Sequence, residues 1–303
     1  KRQVDIGKQA FKDLTKERCA YLLNSPANFT ASKLKWVKDN EPELYQKIHK
    51  FMLPGDFIAL KLTGTISTTN NGLSEGIFWD YESDSVASWL LDYFEFSHDL
   101  VPDVVENFTP QAYISKQAAE ETGLPEGIPI TYRAGDQPNN ALSLNVFNSG
   151  EVAATGGTSG VIYAVTDNKN SNEASRINHF AHVNYSAENP TIGKLLCING
   201  AGIMYRWLRN QSSAESYETM NRKASKIAIG SEGLVILPFG NGAERMLDNN
   251  NIGTQFCNIN LNQHSKAHLY RAALEGIAFS FVYGMEILKN DNASIKFIRA
   301  GND

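Results

Sequence analysis

A chain of 303 residues, 42% hydrophobic and 20% charged, holds enough apolar material for a sizeable core and for two domains. A formal net charge of −5, a pI near 5.7 and the lack of any basic tract argue against nucleic acid as the main partner. No apolar run approaches the ~20 residues that span a bilayer, and no signal peptide is visible, so a membrane partner is not expected.

The spacing of Ile6, Ala10, Leu14 and Tyr21 predicts a helix over 4–23, broken by Pro26. Thr30 is a candidate cap for a helix carrying Leu34 and Val37. Pro42 opens a short helix, Pro54-Gly55-Asp56 reads as a turn, and 57–62 as a helix closed by Gly64. Residues 65–69 read as a strand and Asn70-Asn71-Gly72 as a turn, with Ser74-Glu75 after it. Val86, Trp89, Leu90, Tyr93 and Phe94 form an amphipathic stripe that reads as core. Residues 118–122 predict a short helix with Gly123 past its end. The three cysteines, Cys19, Cys197 and Cys257, lack metal spacing and read as buried thiols in a reducing cytosol.

A β-rich run, 130–133, ends in Gly135-Asp136, and Pro138 sits where a helix can begin. Asp136 is therefore expected at the carboxyl end of a strand and in front of a helix, where α/β folds put their chemistry. Two further β-rich runs, 151–154 and 161–165, are joined by Gly156-Gly157-Thr158-Ser159-Gly160. Glycines let backbone N–H groups converge on a phosphate, and Thr or Ser adds side-chain donors. A carboxylate followed by such a turn is a kinase-like pairing. On residues alone, Asp136 also reads as a helix N-cap, and the turn as an ordinary Gly-rich hairpin.

Beyond the hairpin, His179 and His182 are three apart, but no carboxylate or Cys at ligand spacing completes a metal set. His264 and His268 lack the Glu of a zinc-protease helix. A strand at 195–198 leads through Asn199-Gly200-Ala201-Gly202 into a helix over 203–209, a second place for N–H groups to meet a nucleotide. A strand at 234–237 precedes a tight loop in which Glu244 and Arg245 are expected to pair. Leu269, Ala273, Ile277, Phe281, Gly284 and Leu288 stripe a long helix over 266–289. A last strand, 295–298, enters Ala300-Gly301-Asn302. The domain boundary is expected near Asn148, giving 1–148 and 149–303.

Segments dispersed along the chain carry a resemblance. They are Phe29-Thr-Ala-Ser-Lys33-Leu-Lys-Trp36, Leu53-Pro-Gly-Asp56, Leu62-Thr-Gly64, Gly135-Asp136-Gln137, Gly157-Thr-Ser-Gly160, Leu237-Pro-Phe-Gly-Asn-Gly-Ala-Glu244-Arg245 and His268-Leu-Tyr-Arg271-Ala-Ala-Leu-Glu275-Gly276. On these the chain resembles the FGGY family of carbohydrate kinases, and within it the xylulose kinases. The resemblance implies an α/β, two-domain actin-like ATPase (ribonuclease H-like) fold, with sugar and ATP meeting in a cleft. It implies transfer of phosphate from ATP to D-xylulose, with Asp136 as general base and Gln137 on a sugar hydroxyl. Gly157, Thr158 and Ser159 would hold the γ-phosphate, Gly202 the ribose or phosphates, and Gly301 and Asn302 the adenine. Mg²⁺ would travel with ATP, without metal ligands from this chain. Ser74 and Glu75 fall in a serine-bearing segment near the sugar side.

Two departures stand out. The family's opening Asp-x-Gly-Thr hairpin has no match, so the chain reads as a fragment lacking both ends, its first domain incomplete and a sheet edge exposed. Ala300-Gly301 replaces paired glycines. Another acceptor (ribulose, glycerol, gluconate) and a non-catalytic sugar- or nucleotide-binding protein remain as alternatives. A serine hydrolase using Ser159 is disfavoured, because Val161 occupies the last Gly of a nucleophile elbow. Use of ATP suits a cytoplasmic setting, and a homodimer is compatible with the sequence.

Overall fold

The computed structural model describes residues 2–214 and 216–301; Asn302, named above for the adenine site, lies outside them. The chain forms two units. The first comprises Lys1–Ser149, Val165–Ala174 and His179–Gly193; the second comprises Gly150–Ala164, Ser175–Asn178 and Lys194–Asp303.

The first unit opens with α1 (Val4–Asp13) and α2 (Thr15–Ala20) in place of one long helix. Thr15 takes φ of +64°, which a continuous helix cannot contain. In α3 (Thr30–Asn40) the extended N-cap residue is Phe29, and Thr30 is already helical, which corrects the expected cap. After α4 (Pro42–Tyr45) and α5 (Pro54–Thr63), Gly64 turns left-handed at φ +76° and stops the helix. β1 (Ser67–Thr68) runs into α6 (Asn70–Gly76). The turn expected at 70–72 is thus the first turn of a helix. Thr69 caps it, its hydroxyl accepting the Gly72 N–H at 3.1 Å.

β2 (Trp79–Asp80) and β3 (Ser85–Val86) pair antiparallel before α7 (Ser88–Tyr93). β4 (Asp103–Val104) lies parallel to β1. β5 (Ala112–Tyr113) and β6 (Pro129–Ile130) pair antiparallel around α8 (Lys116–Thr122), and α9 (Asp136–Ser143) follows. The core is aromatic and leucine-rich: Leu73, Phe78, Leu90, Leu91 and Phe94 pack with Ala181, Tyr185 and Ile192 from the returning 179–193 stretch. Asn71 ties that stretch down, its Nδ2 donating to the carbonyls of Ala181 (2.8 Å) and His182 (2.6 Å). His182 is itself buried, with Nε2 2.9 Å from the Val146 carbonyl, an ordinary core histidine.

In the second unit, β7 (Glu151–Gly156) and β8 (Gly160–Thr166) form an antiparallel hairpin. β9 (Asn178–Ala181), which passes into the first unit at His179, and β10 (Ile192–Ile198) follow, then α10 (Gly202–Gln211) and α11 (Tyr217–Ala224). β11 (Val235–Leu237) pairs antiparallel with β12 (Gln255–Cys257). α12 (Lys266–Asn290) leads to β13 (Phe297–Gly301), which lies parallel to β7, so the sheet of this unit orders β13-β7-β8-β10. α12 buries Ala272, Ala273, Gly276, Gly284, Ile287 and Leu288. The Lys194 ammonium, wholly buried, pairs with Asp291 at 2.8 Å. No described helix is long and apolar enough to cross a membrane.

Candidate active site

Asp136 is the first residue of α9, but the strand before it ends at Ile130. Irregular chain, not a strand end, therefore presents it, and side chains fix that chain in place of a ladder. The Arg133 N–H donates to Asn107 Oδ1 at 3.1 Å. Its guanidinium donates to Ser67 Oγ (2.7 Å), the Ser67 carbonyl (3.0 Å) and Gln111 Oε1 (3.1 Å), and pairs with Asp56 at 3.4 Å. Burial alone would penalise both charges, lowering the Arg133 pKa and raising that of Asp56; each is opposed by the other's charge. The Tyr132 hydroxyl and the Ala134 carbonyl both bond the Asn139 side chain, which clamps the segment to α9.

The N-cap position belongs to Gly135, so the capping role that Asp136 also allowed is not the one it plays. Its side chain is exposed, and Oδ1 accepts only the Gln137 N–H, at 2.9 Å, among the described residues. Gln137 is half-buried, and its Oε1 finds no protein donor. Asp136 borders a cavity of about 380 Å³, in the size range of small-ligand sites, together with Asp56, Thr69, Glu75 and Arg133.

Glu75 is the residue that sequence reasoning underweighted. Its Oε1 accepts the Gly135 N–H at 2.9 Å across 60 residues of chain, a separation no local motif reveals. Burial pushes its pKa up to about 7; the charges of Asp136 and Asp56 add to that, and the Gly135 bond opposes it. A β-carbon on residue 135 would collide with both Glu75 oxygens, so a larger residue there would displace the Glu75 carboxyl.

In the second unit the small-residue turn is tight: Gly156 lies opposite Gly160, and the Gly157 N–H reaches the Ser159 carbonyl at 3.1 Å. Thr158 is exposed, and the hydroxyls of Thr158 and Ser159 make no hydrogen bond among the described residues. The turn before α10 meets it. The Ile203 N–H donates to the Thr158 carbonyl at 2.9 Å, and a β-carbon on Gly202 would strike the Gly157 carbonyl. The structure thus brings Gly157, Thr158 and Gly202 together.

The expected Glu244–Arg245 pair does not form. Glu244 is buried and instead accepts the N–H groups of Asn199 (2.9 Å) and Gly200 (3.3 Å), so it braces the turn; Arg245 Nε donates to the Ser175 carbonyl. Burial raises the Glu244 pKa against those bonds. Gly301 is the last residue of β13, opposite Thr155, and not part of a turn beyond the strand. No group of three or more His, Cys, Asp or Glu residues able to hold a metal occurs among the described residues.

The helix-start carboxylate lies beside a cavity in the first unit, and the braced turn with unbonded hydroxyls lies in the second. The fold is that of the actin-like ATPases. The xylulose kinase of Rhodospirillum rubrum superposes with a TM-score of 0.84 at 24% identity, over 98% of this chain and 60% of that one. Plasmodium falciparum glycerol kinase superposes with the same score at 18% identity, over 100% and 61%. The chain belongs to the FGGY family of carbohydrate kinases: the family's N-terminal domain matches residues 9–143 and its C-terminal domain residues 152–300. The xylulose kinase of Bacillus subtilis (strain 168) is 26% identical over 284 residues, covering 93% of this chain and 55% of that protein. The chain spans about half the length of the curated relatives it matches.

Proposed function

We propose that this chain carries the proton acceptor and the γ-phosphate turn of an ATP-dependent sugar kinase, with D-xylulose as acceptor and D-xylulose 5-phosphate as product. The observation that supports this most is Asp136 itself: a helix-start carboxylate, free of side-chain partners among the described residues, on the rim of a cavity that Asp56, Glu75 and Arg133 also line. In this reading Asp136 accepts the proton of the sugar hydroxyl as that oxygen attacks the γ-phosphorus and ADP departs. Phosphoryl transfer is loose, so the carboxylate chiefly aligns the nucleophile and takes the proton late. Gln137, next in the chain, is the proposed contact to a second sugar hydroxyl, its amide turning out of the buried position in which Oε1 lacks a protein donor.

Thr158 and Ser159 offer their unbonded hydroxyls to the γ-phosphate oxygens, where charge spreads in the transition state. Gly202 lets nucleotide approach the start of α10, and Gly301 and Asn302 complete the adenine wall. Mg²⁺, entering with ATP, would neutralise phosphate charge through water and phosphate oxygens. The xylulose preference rests on the names of relatives such as that of B. subtilis. The glycerol kinase likeness keeps a different polyol as the second reading.

Asp136→Asn in the natural polypeptide carrying this sequence tests the assignment. Loss of a general base should lower kcat by about 10²–10⁴ while ATP affinity, read by calorimetry, stays within about twofold. A near-normal kcat with D-xylulose would reject the role.

A further inference from the structure

Glu75 shares the cavity with Asp136, yet the reaction as described gives it no part. Its carboxyl lies against the peptide that leads into Asp136: Oε1 accepts the Gly135 N–H at 2.9 Å, and both oxygens occupy the space a β-carbon on residue 135 would need. Where α9 begins, and so where Asp136 points from, depends on this contact across 60 residues of chain. Oε2 makes no hydrogen bond among the described residues. We propose that Glu75 is a positioning and acceptor-binding residue of this site, holding the Gly135–Asp136 peptide with one oxygen and offering a carboxylic O–H from the other to an oxygen of the acceptor sugar. The proposal rests on Asp136 being the proton acceptor.

The surroundings favour a proton-bearing Glu75. The titratable groups that face it are Asp136 on α9, Asp56 on α5, Tyr132 ahead of α9 and Tyr81 after β2. None of these is a cation. Arg133, which lines the same cavity, is engaged by Asp56 and Ser67. Burial pushes the Glu75 carboxyl up to about 7, and the charges of Asp136 and Asp56 add to it. The cavity then holds two carboxyls with different duties, one taking a proton from the acceptor and one lending a hydrogen bond to it. An acid so placed is a specificity device: it favours an acceptor that brings an oxygen lone pair to that spot.

The test uses the natural polypeptide carrying this sequence, with ATP and D-xylulose, as wild type, Glu75→Gln and Glu75→Ala. Wild-type kcat/KM should fall about tenfold per pH unit above pH ~7, as a required acid ionises. Glu75→Gln keeps a donor and cannot ionise, so it should stay within about threefold of wild type at pH 6.5 and lose the alkaline fall. Glu75→Ala should raise the D-xylulose KM by at least about thirtyfold at pH 6.5, with the ATP KM unchanged and the gap to wild type closing above pH ~7 as the wild-type acid ionises, because it leaves the acceptor oxygen and Gly135 unpaired. Calorimetric D-xylulose binding at pH 6 and 8 should follow the same pattern without turnover. An alkaline fall retained in Glu75→Gln, a D-xylulose KM unchanged in Glu75→Ala, or absence of D-xylulose binding by the wild type would each overturn the proposal. Failure of the underlying reading has a separate signature, full activity of Asp136→Asn.

Discussion

Asp136 and Glu75 show how unevenly single residues announce themselves. Asp136 was legible because Gly135 and Pro138 bracket a helix start, and bracketing is local information. Glu75 was not, because its partner N–H is 60 positions away, and the resemblance placed it only in a serine-bearing segment near the sugar side. The cost of burying it should be visible in stability. Unfolded, this carboxyl ionises near pH 4.5; folded, it does so near 7. Below pH 4.5 both states keep the proton and the group contributes no penalty. Between 4.5 and 7 only the unfolded state has lost it, so stability falls as pH rises, by roughly 3 kcal/mol in all, and levels off above. Glu75→Gln lacks that loss. The stability difference between variant and wild type should therefore grow in favour of the variant by roughly 2–3 kcal/mol from pH 4.5 to 7.5, measured by urea unfolding at matched pH. A difference that stays constant across this range would show that the carboxyl titrates as an ordinary exposed one.

Elements were legible where their ends carry chemistry of their own. Gly64 and Gly123, both at φ +76°, stop α5 and α8 at the places their sequence marks. Of the apolar stripe expected on α12, Ala273, Gly284 and Leu288 are buried, and Leu269, Ile277 and Phe281 are partly buried. The misses share a cause: tertiary contacts override local preference. Asn70-Asn71-Gly72 has turn composition, yet Thr69 caps it as a helix and Asn71 spends its amide on the 181–182 backbone. Segment 130–133 has strand composition, yet Arg133 is held by Ser67 and Gln111 and leaves no ladder to join. Close approach of elements gives a sharper prediction. At Gly202 a methyl would meet the Gly157 carbonyl, which is backbone and cannot step aside. At Gly284 it would meet the tips of Ile162 and Leu196, at 2.8 and 2.9 Å, which can change rotamer. Gly202→Ala should cost about 1–3 kcal/mol, and Gly284→Ala less than about 1, since the gain in helix propensity offsets part of its crowding. Because Gly202 joins the two turns, its variant should also raise the ATP KM at least about tenfold with the sugar KM unchanged. Equal thermal shifts in the two variants would refute this account of the 157–202 contact.

At the scale of the molecule, composition signalled a two-domain chain, but nothing in it marks the return of 165–174 and 179–193 to the first unit. That return is structural. Ala181, Tyr185 and Ile192 belong to the same buried cluster as Leu73, Phe78 and Leu90. Their loss would uncover part of that aromatic and leucine surface. It would also strip Asn71 of both carbonyls it donates to, leaving its amide buried and unpaired, at a cost of about 1–3 kcal/mol. Ser74, whose hydroxyl receives the Ala181 N–H at 2.9 Å, stands next to Glu75, so the damage reaches the cavity of Asp136. Domains are marginally stable, and losses of this size exhaust the margin. A polypeptide of residues 1–149 should therefore show no cooperative thermal transition by near-ultraviolet circular dichroism. The 303-residue chain should show one, with protected Leu73 and Ser74 amides in hydrogen exchange. A cooperative melt of 1–149 at the midpoint of the whole chain would mean that the first run of chain is self-sufficient, and that the 179–193 stretch merely decorates it.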